Sequence, residues 1–336
     1  MEGGEAIGPP LGVRAGALEW ARRNPAWVAV GVLALVSVIL IITDGLQPFA
    51  QRSVNGLVAG SYFALGAIGL TLVYGILKLV NFAHGDTLTL GAYIGFFFNV
   101  TLGLPIFIAI LLAIALVGLF GVATEKVMWR PMRRKRAGML QLLLMALGLA
   151  FVLRNAIQFV AGTQPRSLDV DVTSTYSFLG LTIGRTELYV VITGFVVLSA
   201  VAWMLRSTRL GREMRALADN FDLAETTGID TGRVVYITWF LAAGLAGLAG
   251  VLVVASSGSL NPNTGFFLLL PIFAAVVLGG IGNAFGALAG GIVIGLAQEW
   301  STLVFAPEWK VAVSFVVLII VLIVRPQGIF GRERTL

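Results

Sequence analysis

Ten runs of the chain are almost continuously apolar: 26–43, 54–76, 87–103, 105–124, 141–160, 188–205, 234–256, 266–280, 284–298 and 311–324. The first holds no charge and, at 1.5 Å per residue, covers roughly 27 Å as a helix, enough for one bilayer crossing. The pattern predicts an all-α polytopic membrane protein with about 8–10 transmembrane helices. Runs 266–280 and 284–298 are short and are joined by Gly279-Gly280-Ile281-Gly282-Asn283. One polar segment, 206–233, carries a different pattern. Its residues Met214, Leu217, Ala218 and Phe221 fall at i, i+3, i+4 and i+7, one face of a short amphipathic helix. Gly228 reads as its stop.

Composition agrees with the bilayer as solvent. Of 336 residues 58% are hydrophobic and 12% charged, against roughly a quarter charged in a soluble domain. Mean hydropathy is +0.93, which excludes a disordered chain. The 41 glycines suit helices that pack closely through small residues. Pairs such as Gly56/Gly60, Gly286/Gly290 and Gly291/Gly295 read as such contacts. The chain has no cysteine and one histidine, so disulfides, thiol catalysis and a His-based metal cluster drop out.

The pI near 10 does not point to nucleic acid, because the cations sit between apolar runs. Segment 125–140 carries Lys126, Arg130, Arg133, Arg134, Lys135 and Arg136 against Glu125. Segment 206–233, the N-terminus with Arg14, Arg22 and Arg23, and the tail with Arg325, Arg332 and Arg334 bring the total to 17 of the 23 cations. Cytoplasmic loops hold such charge, so both termini are expected in the cytoplasm and the crossings should be even in number. Ten crossings satisfy this, as do eight plus a re-entrant hairpin at 266–298. The expected domains are a cytoplasmic extension at 1–25 (not a signal peptide), a membrane domain at 26–324 and a cytoplasmic tail at 325–336.

Ten segments divide as five plus five, and an odd number per half inverts the second half, as in many transporters. Each half has a Gly-rich second segment followed by a polar break: Asn81-Phe82-Ala83-His84-Gly85-Asp86 and Asn261-Pro262-Asn263-Thr264-Gly265. Freed backbone at membrane depth is tolerated only inside protein or beside water, so Asn81, His84, Gly85, Asn261, Asn263 and Gly265 are the candidate substrate path. Two readings of the first break stand together. It is a tight turn with Asp86 capping the next helix, or it is the start of a half-helix whose N–H groups face a cavity. Arg154, the one cation deep in a run, either serves function or snorkels to the interface.

The 206–233 segment, with small Ala residues and flanking Arg, suits docking to a groove on a soluble partner. The four lysines of the chain follow Leu77, Glu125, Arg134 and Trp309, so the chain carries no phosphate loop for ATP, which needs Lys after Gly. It also lacks the series of intramembrane acids typical of ion-coupled transport, and neither a triad nor a metal cluster supports an enzyme.

Several stretches resemble the branched-chain amino-acid ABC permease family. They are Asn55-Gly56-Leu57 through Ala59-Gly60-Ser61-Tyr62-Phe63-Ala64-Leu65, then Leu72-Val73-Tyr74-Gly75-Ile76, and Val80-Asn81-Phe82-Ala83-His84-Gly85. Residues 211–230, Ala275-Val276-Val277-Leu278-Gly279-Gly280-Ile281-Gly282-Asn283, Gly286-Ala287-Leu288-Ala289-Gly290-Gly291 and Arg325-Pro326-Gln327-Gly328-Ile329-Phe330-Gly331 extend the likeness across about 54–331. The resemblance implies one of two permease chains in a cell-membrane importer. The other parts are two cytoplasmic ATPases, which bind ATP and Mg, and an extracytoplasmic binding protein; this chain itself takes no cofactor. It assigns ATPase coupling to Gly211, Arg212, Arg215, Ala216, Asp219, Asn220, Ala224, Gly228, Ile229 and Asp230. It implies branched-chain amino acids as cargo, with urea or short amides as the alternative within the family. A self-sufficient channel or secondary transporter is the rival class.

The orientation is open to a direct test in a chain without cysteine. A Cys introduced between 130 and 136 should resist an impermeant thiol reagent applied from outside; labelling there would reverse the topology.

Overall fold

The computed structural model describes residues 25–325 and 327–331; the extension before Pro25 and the arginines of the extreme tail lie outside the described residues. Among the described residues thirteen α-helices follow one another: α1 Pro25–Asp44, α2 Leu46–Leu77, α3 His84–Phe96, α4 Ile106–Thr124, α5 Arg130–Arg134, α6 Met139–Ala161, α7 Arg185–Ser207, α8 Arg209–Asp219, α9 Phe221–Thr226, α10 Thr231–Ser257, α11 Thr264–Gly279, α12 Ala284–Ser301 and α13 Lys310–Val324. Each of the ten apolar runs has become a helix. Seven spans among the described residues are long and apolar enough to cross a membrane by themselves. The other three runs form α3, α11 and α12.

Burial sorts the helices. α2 and α10 are almost wholly enclosed, while α1 and α13 have almost no fully buried residues. An enclosed helix in a bilayer gains no hydrophobic driving force from its neighbours, so it is held by close packing. The sequences of α2 and α10 supply that through Gly and Ala. Gly56 and Gly60 of α2 lie against the backbone of Leu296 and Ile292 of α12. On the other side, Gly247 of α10 lies against Val117 of α4 and the backbone of Gly91 of α3. Gly286 and Gly290 meet α11 at Gly279 and Ala275. The glycine pairs are therefore packing contacts, as their spacing suggests. α12 follows α2 from Gly75, which faces Gly282, to Ser53, whose hydroxyl accepts from Trp300 Nε1 at 2.9 Å.

Every buried carboxylate among the described residues has a basic partner. Glu125, in a π-helical turn after α4, meets Arg133. Glu299 meets Lys310 and, at 3.7 Å, Arg52. Asp86 meets Arg154. In a low-dielectric interior an unpaired charge is far more costly than a paired one.

The loop after α6 holds a feature absent from the sequence reading, a hairpin of β1 Thr175–Phe178 and β2 Leu181–Gly184. Leu179 and Gly180 both take positive φ, the geometry of a two-residue turn. Gln51 pins it to α2, donating to Thr182 O at 2.7 Å and accepting from Thr182 N–H at 2.8 Å. Gln47 donates to Gly180 O at 3.1 Å. Nearby, hydrogen bonds from Ser174 and Thr173 hold the Asp171 carboxyl below the usual carboxylate range.

The tightest approach is between α3 and α11, where a Cβ on Gly265 would fall on the carbonyl oxygen of Gly85. Gly265→Ala should lower thermal stability by about 1–3 kcal/mol, the cost of overpacking a closed contact. The check is an unfolding midpoint in detergent; an unchanged midpoint would show that the two first turns part easily.

Candidate functional site: the junction of two broken helices

The site is built twice from the same local rules. After α2 ends at Lys78 the chain runs non-helically to Ala83. Asn81 Oδ1 accepts the N–H of Ala83 at 3.1 Å, and the N–H of His84 donates to Asn81 O at 3.2 Å. This Asx turn launches α3. After α10 the same geometry recurs. Asn261 Oδ1 accepts the N–H of Asn263 at 3.0 Å, and the N–H of Thr264 donates to Asn261 O at 3.1 Å. Position by position, Asn81, Ala83, His84 and Gly85 match Asn261, Asn263, Thr264 and Gly265.

The two first turns meet. Gly85 and Gly265 lie backbone to backbone. The N–H of Gly265 donates to Thr89 Oγ1 at 2.9 Å, and Thr89 in turn donates to Gly85 O at 3.4 Å. His84 Nε2 donates to Gly66 O at 2.9 Å, about three turns, or roughly 16 Å, back from the end of α2. The junction therefore lies well inside the bundle. Asn81, His84, Gly85 and Gly265 are buried, and Asn261 and Asn263 half-buried. All six predicted path residues belong to this junction or the turns that create it. Thr89, which joins the halves, gave no signal in the sequence beyond a hydroxyl in an apolar run.

Beside the first break is a cavity of about 10 Å³ bordered by Asn81, His84, Thr87, Thr124 and Trp239. That volume holds one water at most. Trp239 stacks on Trp129 with ring centroids 5.7 Å apart. A second recess, of about 280 Å³, opens between α2, α7 and the hairpin and is lined by Gln51, Asn55, Thr182, Thr186, Glu187 and Ser256.

Two of the alternatives left by the sequence are now settled. Asp86 does not cap α3; Ala83 holds that position and Asp86 sits in the first turn. Arg154 does not snorkel. It turns inward from α6, with Nε 2.9 Å from Asp86 Oδ1 and Nη2 3.1 Å from Oδ2, because a bidentate partner at depth outweighs a longer reach to the interface.

The segment after α7 is two helices instead of one. Thr208 Oγ1 accepts the N–H of Gly211 at 3.1 Å and caps α8. Asn220, in extended conformation, ends α8 and caps α9 by accepting from Leu223 N–H at 3.0 Å. Gly228, at φ 85°, follows the end of α9. Asp230 then caps α10, accepting from Arg233 N–H at 3.0 Å. Met214, Leu217 and Ala224 turn into the bundle, and Gly211 is pressed on the carbonyls of Met204 and Leu205. Ala216 and Ile229 are half-buried, while Arg212, Arg215, Asp219, Asn220, Gly228 and Asp230 are exposed. The apolar stripe is thus used within the chain, and the outward face is charged. Lys78 Nζ donates to Ala218 O at 3.4 Å, linking α8 to the end of α2.

Residues 53–322, which include both breaks and this segment, match the family model described as branched-chain amino acid transport system, permease component. The high-affinity branched-chain amino acid transport system permease protein BraD of Pseudomonas aeruginosa is 33% identical over 297 residues, covering 84% of this chain and 96% of that one. Its counterpart LivH of Escherichia coli is 34% identical over 302 residues, with the same coverage. The ribose import permease protein RbsC of Escherichia coli is 27% identical over 321 residues, covering 91% and 94%.

The His84–Gly66 bond predicts a graded response. His84→Ala should remove about 1 kcal/mol of stability and lower transport more than it lowers expression, whereas His84→Gln, which can still donate to Gly66 O, should retain most transport. Equal losses of yield and transport would make the imidazole purely structural.

Proposed function

Because the chain belongs to the permease components of branched-chain amino acid transport systems, we propose that it is the membrane permease subunit of an ABC importer carrying branched-chain amino acids into the cytoplasm. ATP hydrolysis takes place on partner chains. The observation that carries this reading is the meeting of two Asn-launched helix starts inside the bundle. A helix N-terminus carries a partial positive charge, which suits an amino-acid carboxylate. Gly and Ala around the junction leave room for an apolar side chain once the path opens.

With the basic segments inside, α2 descends to the cytoplasm and α10 rises from it, so the two Asx turns lie in halves of opposite direction. This favours ten crossings in a five-plus-five inverted repeat: α1, α2, α3, α4 and α6, then α7, α10, α11, α12 and α13. α3 and α11 are the broken members, each completed by the non-helical segment before it. Both termini are then cytoplasmic.

On this reading the exposed face of Arg212, Arg215, Asp219 and Asn220 docks on a cytoplasmic ATPase that holds ATP and Mg. Gly211, Ala216, Ala224, Gly228, Ile229 and Asp230 shape that face. The link from Ala218 through Lys78 to α2 then carries ATPase closure toward the junction. A second homologous permease and an extracytoplasmic binding protein complete the importer, and this chain holds no cofactor of its own.

The test is purification from native membranes in mild detergent with identification of what accompanies the chain. A P-loop ATPase and a second permease should be recovered, and reversing Arg212 and Arg215 to Glu should reduce ATPase recovery about tenfold, as loss of a paired charged contact of about 1.4 kcal/mol gives. Recovery of the chain alone, where a known ABC complex survives, would favour a channel or secondary transporter. Unchanged ATPase recovery in the reversal variant would remove the docking role.

A further inference from the structure

Arg154 touches both halves of the junction at equivalent places. Asp86 is the third residue of α3 and Phe266 the third of α11. The guanidinium of Arg154 forks onto the Asp86 carboxylate. The same group lies 4.3 Å from the ring centroid of Phe266. One side chain from α6 thus grips the first turn of α3 by charge and the first turn of α11 by a ring face. Asp86 is 1% exposed and the Arg154 side chain 15%, so neither has water as a ready substitute. Around Arg154 on α6, Val152 and Phe159 face outward, and the Phe151 ring lies farther from the guanidinium than that of Phe266, at 5.9 Å. Among the described residues α3 is the principal helix neighbour of α6.

The two grips are unequal. A bidentate ion pair at membrane depth is held by the cost of leaving either charge alone. A cation–π contact to a ring that is 43% exposed is the weaker of the two. If the first turns of α3 and α11 separate, the ring contact gives way first and α6 travels with α3.

We infer that Arg154 is a positioning residue for transport: it latches α11 to the α3–α6 pair and holds the junction closed until the ATPases drive it open. The inference rests on the importer reading above. It assigns Phe266 as the releasable side of the latch and Asp86 as the fixed side. Without the latch, the Thr89–Gly265 hydrogen bond and the glycine contact are left to hold the two first turns together, so the junction should open undriven more often, which uncouples ATP hydrolysis from uptake.

The experiment uses the whole importer, with its partner chains and binding protein, in proteoliposomes. Leucine uptake and ATP hydrolysis are measured together. Phe266→Leu keeps an apolar side chain at an exposed position and should assemble with an unchanged thermal midpoint. Its uptake per ATP should fall about fivefold, the population change expected from losing one partly desolvated cation–π contact. Phe266→Tyr keeps a ring face and should restore the wild-type ratio. Arg154→Lys keeps the charge, loses the fork, and should lower the ratio as well. A wild-type ratio in Phe266→Leu, or a Phe266→Tyr variant as defective as Phe266→Leu, would overturn the latch. So would uptake and hydrolysis falling together with the thermal midpoint. Wild-type liposomes showing no ATP-driven uptake would instead overturn the importer reading, so the two failures are distinct.

Discussion

In a bilayer each unbonded backbone N–H costs several kcal/mol, so a helix can start within the membrane only where something accepts its first N–H groups. The junction meets that constraint with very few residues. Asn81 and Asn261 each accept one N–H with their side chains and a second with their carbonyls. Thr89 accepts a third, from Gly265 of the opposite half. Glycine at 85 and 265 lets the two starts come close enough for Thr89 to reach across. The place of α6, tied through Arg154 to Asp86, and the small cavity beside His84 both adjoin those starts.

Charge obeys the same economy. Buried carboxylates stand at three places, at the junction, at the turn after α4 and near the end of α12, and each is matched by a base from a different turn or helix. The remaining basic residues gather on the segments between spans. The outward face of α8 displays Arg212 and Arg215, and α8 adjoins the end of α2 through Lys78.

The ten runs and the two breaks were legible because apolar length and Asn-Gly punctuation are local properties. The glycine pairs were legible for the same reason, since i, i+4 spacing places them on one side of a helix. What escaped depended on distance in the chain. Asp86 and Arg154 were both noticed, yet 68 residues separate them, and each alone admitted an ordinary explanation. Thr89 looked like any other hydroxyl in a span. The hairpin did carry a signal: Tyr176, Phe178, Leu181 and Ile183 alternate with polar residues around Leu179-Gly180, but the surrounding apolar runs obscured it. The division at Asn220 also had a local signature, since Asn is a favoured N-cap; continuing the 3.6-residue stripe through to Phe221 concealed it.

α2 links three places along its length. Its 32 residues make a rod of roughly 48 Å. Near one end Gln47 and Gln51 carry the hairpin, about two-thirds of the way along Gly66 receives His84, and just past the other end Lys78 bonds to α8. Long helices bend only gently unless a kink is built in, and the one proline of α2, Pro48, lies in its first turn where it does not kink the rod. A displacement at one end would therefore reach the other as a tilt about a point near Gly66, where His84 holds the rod. The rod would then act as an unequal lever, its longer arm toward the hairpin and its shorter arm toward α8.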